Sequence, residues 1–225
     1  MKTTKSDQVQ GVWSVEGDAS LQSVFESPTC PPLLRQTLAG VLSWQTRSAT
    51  SVRSALGASR LASQWVAALL ALGATGAVAR APEGDAGPEE VPLEALLENR
   101  IGEEVKVLRV RLAGKYWGED RVARTPVDEP IVSAIAAVEI EDGVVHQSRL
   151  ALTGVWSEPV RLAEAAARLV GGPLDKNCIR KVAQAVTKEV APEGDFLGSE
   201  EYRRAMAAVT TRRALERCLR QDERG

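Results

Sequence analysis

Three cysteines and one histidine, Cys30, Cys178, Cys218 and His146, are the side chains of this sequence best suited to covalent or metal chemistry. Their spacing excludes most of it. A tetrahedral zinc site needs four clustered thiolate or imidazole ligands, and these four are scattered. An odd number of widely spaced cysteines gives no disulfide framework. Cys30 precedes Pro31 and Pro32, where a helix N-terminus could lower a thiol pKa. It has no partner base, so a plain buried or loop cysteine is the simpler reading. His146 follows an Asp-Gly turn, and a lone strand histidine is ordinarily structural. Arg53 could reach an anion such as a nucleotide phosphate from its Ser/Thr/Arg-rich surroundings. The plainer reading is a solvated or salt-bridged side chain.

Charge points the same way. The arginines near the C-terminus (Arg203, Arg204, Arg212, Arg213, Arg217, Arg220) are nearly offset by Glu200, Glu201, Glu216, Asp222 and Glu223, so they read as a solvated or subunit-facing helix. The whole chain has 225 residues and a net charge of −2. With an acidic pI of about 5.7, this argues against nucleic acid as the main partner. Five Trp, two Tyr and two Phe are too few and too dispersed for a base-stacking platform. Trp44 and Trp65 fall at helical apolar positions and are expected in the core. Trp117 and Trp156 lie beside loops. The N-terminus lacks a secretory pattern, and the longest apolar run, Trp65 to Leu72, is far below membrane-spanning length. The expected setting is cytoplasmic, with no membrane span.

These residues need elements to hold them. The spacing predicts a helix opening at Pro31-Pro32, where proline is tolerated in a first turn, with Leu33, Leu34, Leu38, Val41, Leu42 and Trp44 on its apolar face. Residues 45–57 read as loop. A second helix is expected from Ser59 to Leu72, with Leu61, Trp65, Ala68, Leu69 and Leu72 buried. A short strand could occupy 74–80. Residues 81–104 carry eight acids against Arg100 and read as an acidic loop leading to a short helix at Pro92–Glu98.

From Val105 the apolar period changes from 3.6 towards 2. Strands are expected at Val105–Leu112, Ile131–Ile140 and Val144–Leu152, the last two joined by an Asp142-Gly143 turn. Helices then follow at Glu158–Val170, Leu174–Val190 and from Ser199, with Tyr202, Met206, Val209 and Leu215 lining the last one's buried face. The order is helices, sheet, helices. This is an α+β chain, divided as 1–104 and 105–225. The second part is expected to hold a three-stranded antiparallel sheet packed with helices.

Glu139 to Leu162 (Glu-Ile-Glu-Asp-Gly-Val-Val-His-Gln-Ser-Arg-Leu-Ala-Leu-Thr-Gly-Val-Trp-Ser-Glu-Pro-Val-Arg-Leu) resembles the FAD-binding subunit of molybdenum hydroxylases. That family includes the medium subunit of carbon monoxide dehydrogenase and the flavin domain of xanthine dehydrogenase. Gly171-Gly172-Pro173-Leu174-Asp175, Gly198-Ser199-Glu200-Glu201-Tyr202-Arg203-Arg204 and Thr211-Arg212-Arg213-Ala214-Leu215-Glu216 are similar to its later segments, in the same order. The resemblance covers roughly 130–225. A weaker one extends back. The family segment Gln-Ile-Arg-Asn-x-Ala-Thr-Ile-Gly-Gly-Asn-Leu lies without a gap against Gln45 to Leu56, and the same register brings the family's Leu-Leu-Ala-Leu onto Leu69 to Leu72.

That register implies the flavin-motif positions Arg47, Ser51, Val52, Arg53, Ser54 and Gln64, and it exposes departures. The family's Gly-Gly pair is Arg53-Ser54 here. Its Thr is Ser51, its Asn is Ala55 and its Asp is Gln64. Glycines in such loops let backbone amides approach a pyrophosphate closely, and Arg53 puts a long side chain there instead. The family's other glycine motif, Ala-Gly-Gly-Thr-Asp, has no counterpart before residue 30, so the chain is expected to be N-terminally truncated relative to that family.

The resemblance implies a flavin-subunit-like component of a molybdenum hydroxylase complex, with a molybdopterin large subunit and an iron–sulfur small subunit as partners. The degenerate motif implies a structural or regulatory part, without FAD in this chain and without catalytic residues of its own. Two alternatives stay open. One is an active FAD-binding electron-transfer subunit whose phosphate loop comes from another chain. The other is a stand-alone interaction module.

Overall fold

The computed structural model describes residues 11–78, 89–99 and 104–223. The chain divides into two compact units, Met1–Ala113 and Gly114–Gly225.

The first unit contains β1 (Val12–Glu16), α1 (Leu21–Glu26), α2 (Pro32–Val41), α3 (Trp44–Ala49), α4 (Val52–Gly57), α5 (Ser63–Ala71), β2 (Thr75–Val78), β3 (Glu89–Pro92), α6 (Leu93–Glu98) and β4 (Val105–Arg111). Its sheet has the order β1-β4-β2-β3, all antiparallel. Helix α2 packs on α5 and on α1, and α1 packs on α3.

The expected helix at Pro31-Pro32 forms with Pro32 as its first residue, a position where a missing N–H costs nothing. Leu33, Leu34 and Leu38 are buried as the spacing predicts. Trp44 is not. It opens the separate helix α3 and is 61% exposed, because Leu42 leaves the helical conformation and the apolar period stops there. The expected loop at 45–57 is two short helices. Ser43 caps α3 and Ser51 caps α4, each hydroxyl accepting an amide three residues on, so serines that resemble loop residues are capping residues. Helix α5 begins at Ser63 after Ala62 and not at Ser59, and Leu61 stays exposed. Every residue of α5 is buried, as in a helix enclosed on all sides, without a polar stripe. The acidic stretch falls partly at 81–88 and 100–103, outside the described residues, and its short helix is α6, starting at Leu93 after Pro92.

The second unit contains β5 (Lys115–Val122), β6 (Val132–Glu141), β7 (Val144–Thr153), β8 (Val160–Leu162), a 3-10 helix (Glu164–Leu169), α7 (Lys176–Glu189) and α8 (Glu200–Asp222). Its antiparallel sheet has the order β5-β6-β7-β8. Helix α8 lies on β5 and β6, α7 packs on α8 and on the 3-10 helix.

The strand expected at Val105–Leu112 is β4, and it belongs to the first unit's sheet, between β1 and β2. The first unit therefore runs to Ala113 and not to 104. The C-terminal sheet has four strands, not three, and starts instead with β5. That strand is hard to see in sequence because Lys-Tyr-Trp-Gly-Glu-Asp-Arg-Val is polar, as suits an edge strand. Gly118 within it lets α8 approach: a Cβ there would stand 2.1 Å from the Ala214 carbonyl oxygen.

The hairpin between β6 and β7 forms at Asp142 (φ 52°) and Gly143 (φ 75°), a pair that accepts positive φ. Strict alternation along β7 does not hold. Ile140 pairs with Val145 and Glu139 with Gln147, so His146 is an extra residue. This bulge brings Val145 onto the same buried face as Leu150 and Leu152. The helix expected at Glu158–Val170 is β8 followed by the 3-10 helix. Helix α8 starts after Ser199 as predicted. Its buried face is Arg203, Ala207, Thr210, Thr211, Ala214, Leu215 and Cys218, which leaves Tyr202 exposed and Met206 and Val209 half-buried.

Candidate functional site

The positions implied by the flavin-motif register begin at the turn between α3 and α4. Four of them, Ser51 to Ser54, form the cap and first turn of α4. A helix start leaves its first amides without intrahelical partners, and such amides are what could cradle a phosphate. Here each has an acceptor inside the chain. Val52 N–H donates to the Ala19 carbonyl (2.9 Å) and Arg53 N–H to the Gly17 carbonyl (2.9 Å). Ser54 N–H donates to Ser51 Oγ (3.2 Å), and Ala55 N–H closes the first helical bond to the Ser51 carbonyl (3.0 Å).

The segment 17–21 thus lies across the turn as a strap. Leu21 N–H donates back to the Thr50 carbonyl (2.9 Å), and Ser20 and Ser51 form an isolated antiparallel bridge. Arg53 completes the closure, its guanidinium reaching Asp18 at 2.7 Å. Gly17 makes the strap possible: a Cβ there would stand 2.0 Å from the Val105 carbonyl oxygen. Asp18 and the carbonyls of Gly17 and Ala19 were not evident as partners of this turn from sequence. The only local signal was a Gly-Asp pair after a strand.

Arg47 is a clamp for its own helices. Its Nε donates to Gln22 Oε1 (2.8 Å), Nη1 donates to the Leu38 carbonyl (3.1 Å) and to the Leu42 carbonyl, and the guanidinium sits 4.5 Å from the centre of the Phe25 ring. Val52 is buried, and Gln64 is buried in the first turn of α5. The structure therefore brings Ser51, Val52, Arg53 and Ser54 together, while Arg47 binds the α1–α2 region.

The other chemical candidates are also accounted for. Cys30 and Cys218 are buried. Burial pushes their thiols up to about 11 and about 12, Arg35 opposing this in part at Cys30, so neither is a thiolate near neutrality. His146 is an exposed bulge residue. No group of three or more His, Cys, Asp or Glu able to hold a metal occurs among the described residues. The arginines of α8 are largely paired: Arg204 with Glu200, Arg212 with Glu216, and Arg213 and Arg217 with the buried Asp120. Arg203 turns inward, contrary to a solvated face. Its Nη1 donates to the carbonyls of Ile131 (2.8 Å) and Gly154 (2.9 Å), and its Nη2 donates to both oxygens of Asp195 (2.7 Å each). That guanidinium holds Asp195 below the usual carboxylate range. Among the described residues no helix is long and apolar enough to cross a membrane.

This arrangement is an α+β chain of two units. Residues 120–218 match the CO dehydrogenase flavoprotein C-terminal domain. The carbon monoxide dehydrogenase medium chain of Afipia carboxidovorans is 30% identical over 118 residues, covering 52% of this chain and 41% of that one. The glyceraldehyde dehydrogenase medium chain of Sulfolobus acidocaldarius is 27% identical over 96 residues, covering 43% and 34%. The aligned region thus spans less than half the length of these curated relatives. A carbon monoxide dehydrogenase structure from Hydrogenophaga pseudoflava superposes with a TM-score of 0.78 at 23% identity, covering 97% of this chain and 78% of that one. Quinoline 2-oxidoreductase from Pseudomonas putida 86 gives 0.76 at 24% identity, covering 96% and 78%. The fold likeness therefore runs through both units. Residues 120–218 of the second unit thus match the CO dehydrogenase flavoprotein C-terminal domain, and the chain is similar to medium chains of carbon monoxide dehydrogenase.

Proposed function

We propose that this chain is a flavin-subunit-like component of a molybdenum hydroxylase complex that serves its assembly or regulation and does not hold FAD itself. The partners in this reading are a molybdopterin large subunit and an iron–sulfur small subunit. The observation that carries it is the closed turn at α4. A flavin pyrophosphate needs free amides and room for close backbone approach. The amides of Val52, Arg53 and Ser54 are used by the strap and the cap, and Arg53 and Asp18 lie over the turn as an ion pair. The residues present do not fit the group that related medium subunits bind, so no electron-transfer step runs through this chain.

The test is composition. The complex purified from its native source is expected to contain this chain with molybdenum- and iron–sulfur-bearing subunits, as read by native mass spectrometry and metal analysis. A chain that purifies without either partner contradicts the reading.

A further inference from the structure

We draw no further inference here: the strongest candidate, the cleft of about 210 Å³ along the edge of β7 where β8 pairs only with Ala151–Thr153, lined by Gln147, Ser148, Leu162 and Glu164 among others, carries none because nothing in the structure shows what would fill it.

Discussion

Two Asp–Arg pairs organise turns in this molecule, one in each unit. Asp18–Arg53 closes the first turn of α4, with side chains 71% and 40% exposed. Asp195–Arg203 closes the turn before α8, with the arginine side chain only 8% exposed and also bonded to two backbone carbonyls. The chemistry is the same and the consequences differ. An exposed pair is screened and worth little. A buried guanidinium with four hydrogen bonds cannot be removed without stranding its acceptors. In the first unit, backbone bonds do the closing and Arg53 covers the result. In the second, Arg203 is the structure, and the turn it supports presents Phe196 outward. One turn faces its own chain and the other faces solvent.

The largest expected effect is that of Arg203→Leu. The carbonyls of Ile131 and Gly154 lose charged donors, and denaturant unfolding of the second unit should show a loss of about 3–5 kcal/mol. A loss as small as that of an exposed pair would erase the contrast between the two turns.

Acid should act next. Asp195 is held below its ordinary value by the hydrogen bond from Arg203, despite some opposing desolvation. A depressed carboxylate contributes stability that is present above its unfolded pKa and lost as pH falls through the folded one. Thermal unfolding of the second unit should therefore weaken below about pH 4, and Asp195→Asn should flatten that part of the profile. An unchanged profile in that variant would mean that other carboxylates, such as the capping Asp175, whose pKa is also lowered, dominate.

Arg53→Gly sharpens the comparison from the other side. It places a small residue where the proposed flavin-motif register expects one but leaves the Gly17 and Ala19 carbonyls on the turn's amides. The cost should stay below about 1 kcal/mol, and fluorescence titration should detect no gain of FAD binding. Flavin binding in this variant would show that the side chain, not the strap, closes the site. Smallest of all, Phe196→Ser should alter stability by no more than about 0.5 kcal/mol, since its ring is exposed. A larger change in the melting midpoint would make Phe196 part of the fold.

Local signals in the sequence led directly to structure. Pro31-Pro32 opens α2, Asp142-Gly143 turns the hairpin, and Ser199 caps α8. Each acts within a few residues. What escaped depends on distant parts of the chain. β5 carries charges because it is an edge strand under α8, where Asp120 meets Arg213 and Arg217, so its composition resembles loop. The His146 bulge appears only when β7 is laid against β6. The buried face of α8 was misplaced because Arg203 reads as surface until Ile131 and Gly154 are seen behind it. At the candidate site, Ser51 to Ser54 are consecutive residues at the cap and first turn of α4. The strap over them is supplied by residues 17–21, and no pattern within 45–56 announces it.

The central proposal, that this chain does not hold FAD, is tested most directly by an absorption spectrum. The complex is purified from its native source, and its chains are then separated for flavin extraction. Iron–sulfur bands with no flavin traceable to this chain are the expected result. Stoichiometric flavin bound to this chain would contradict the account.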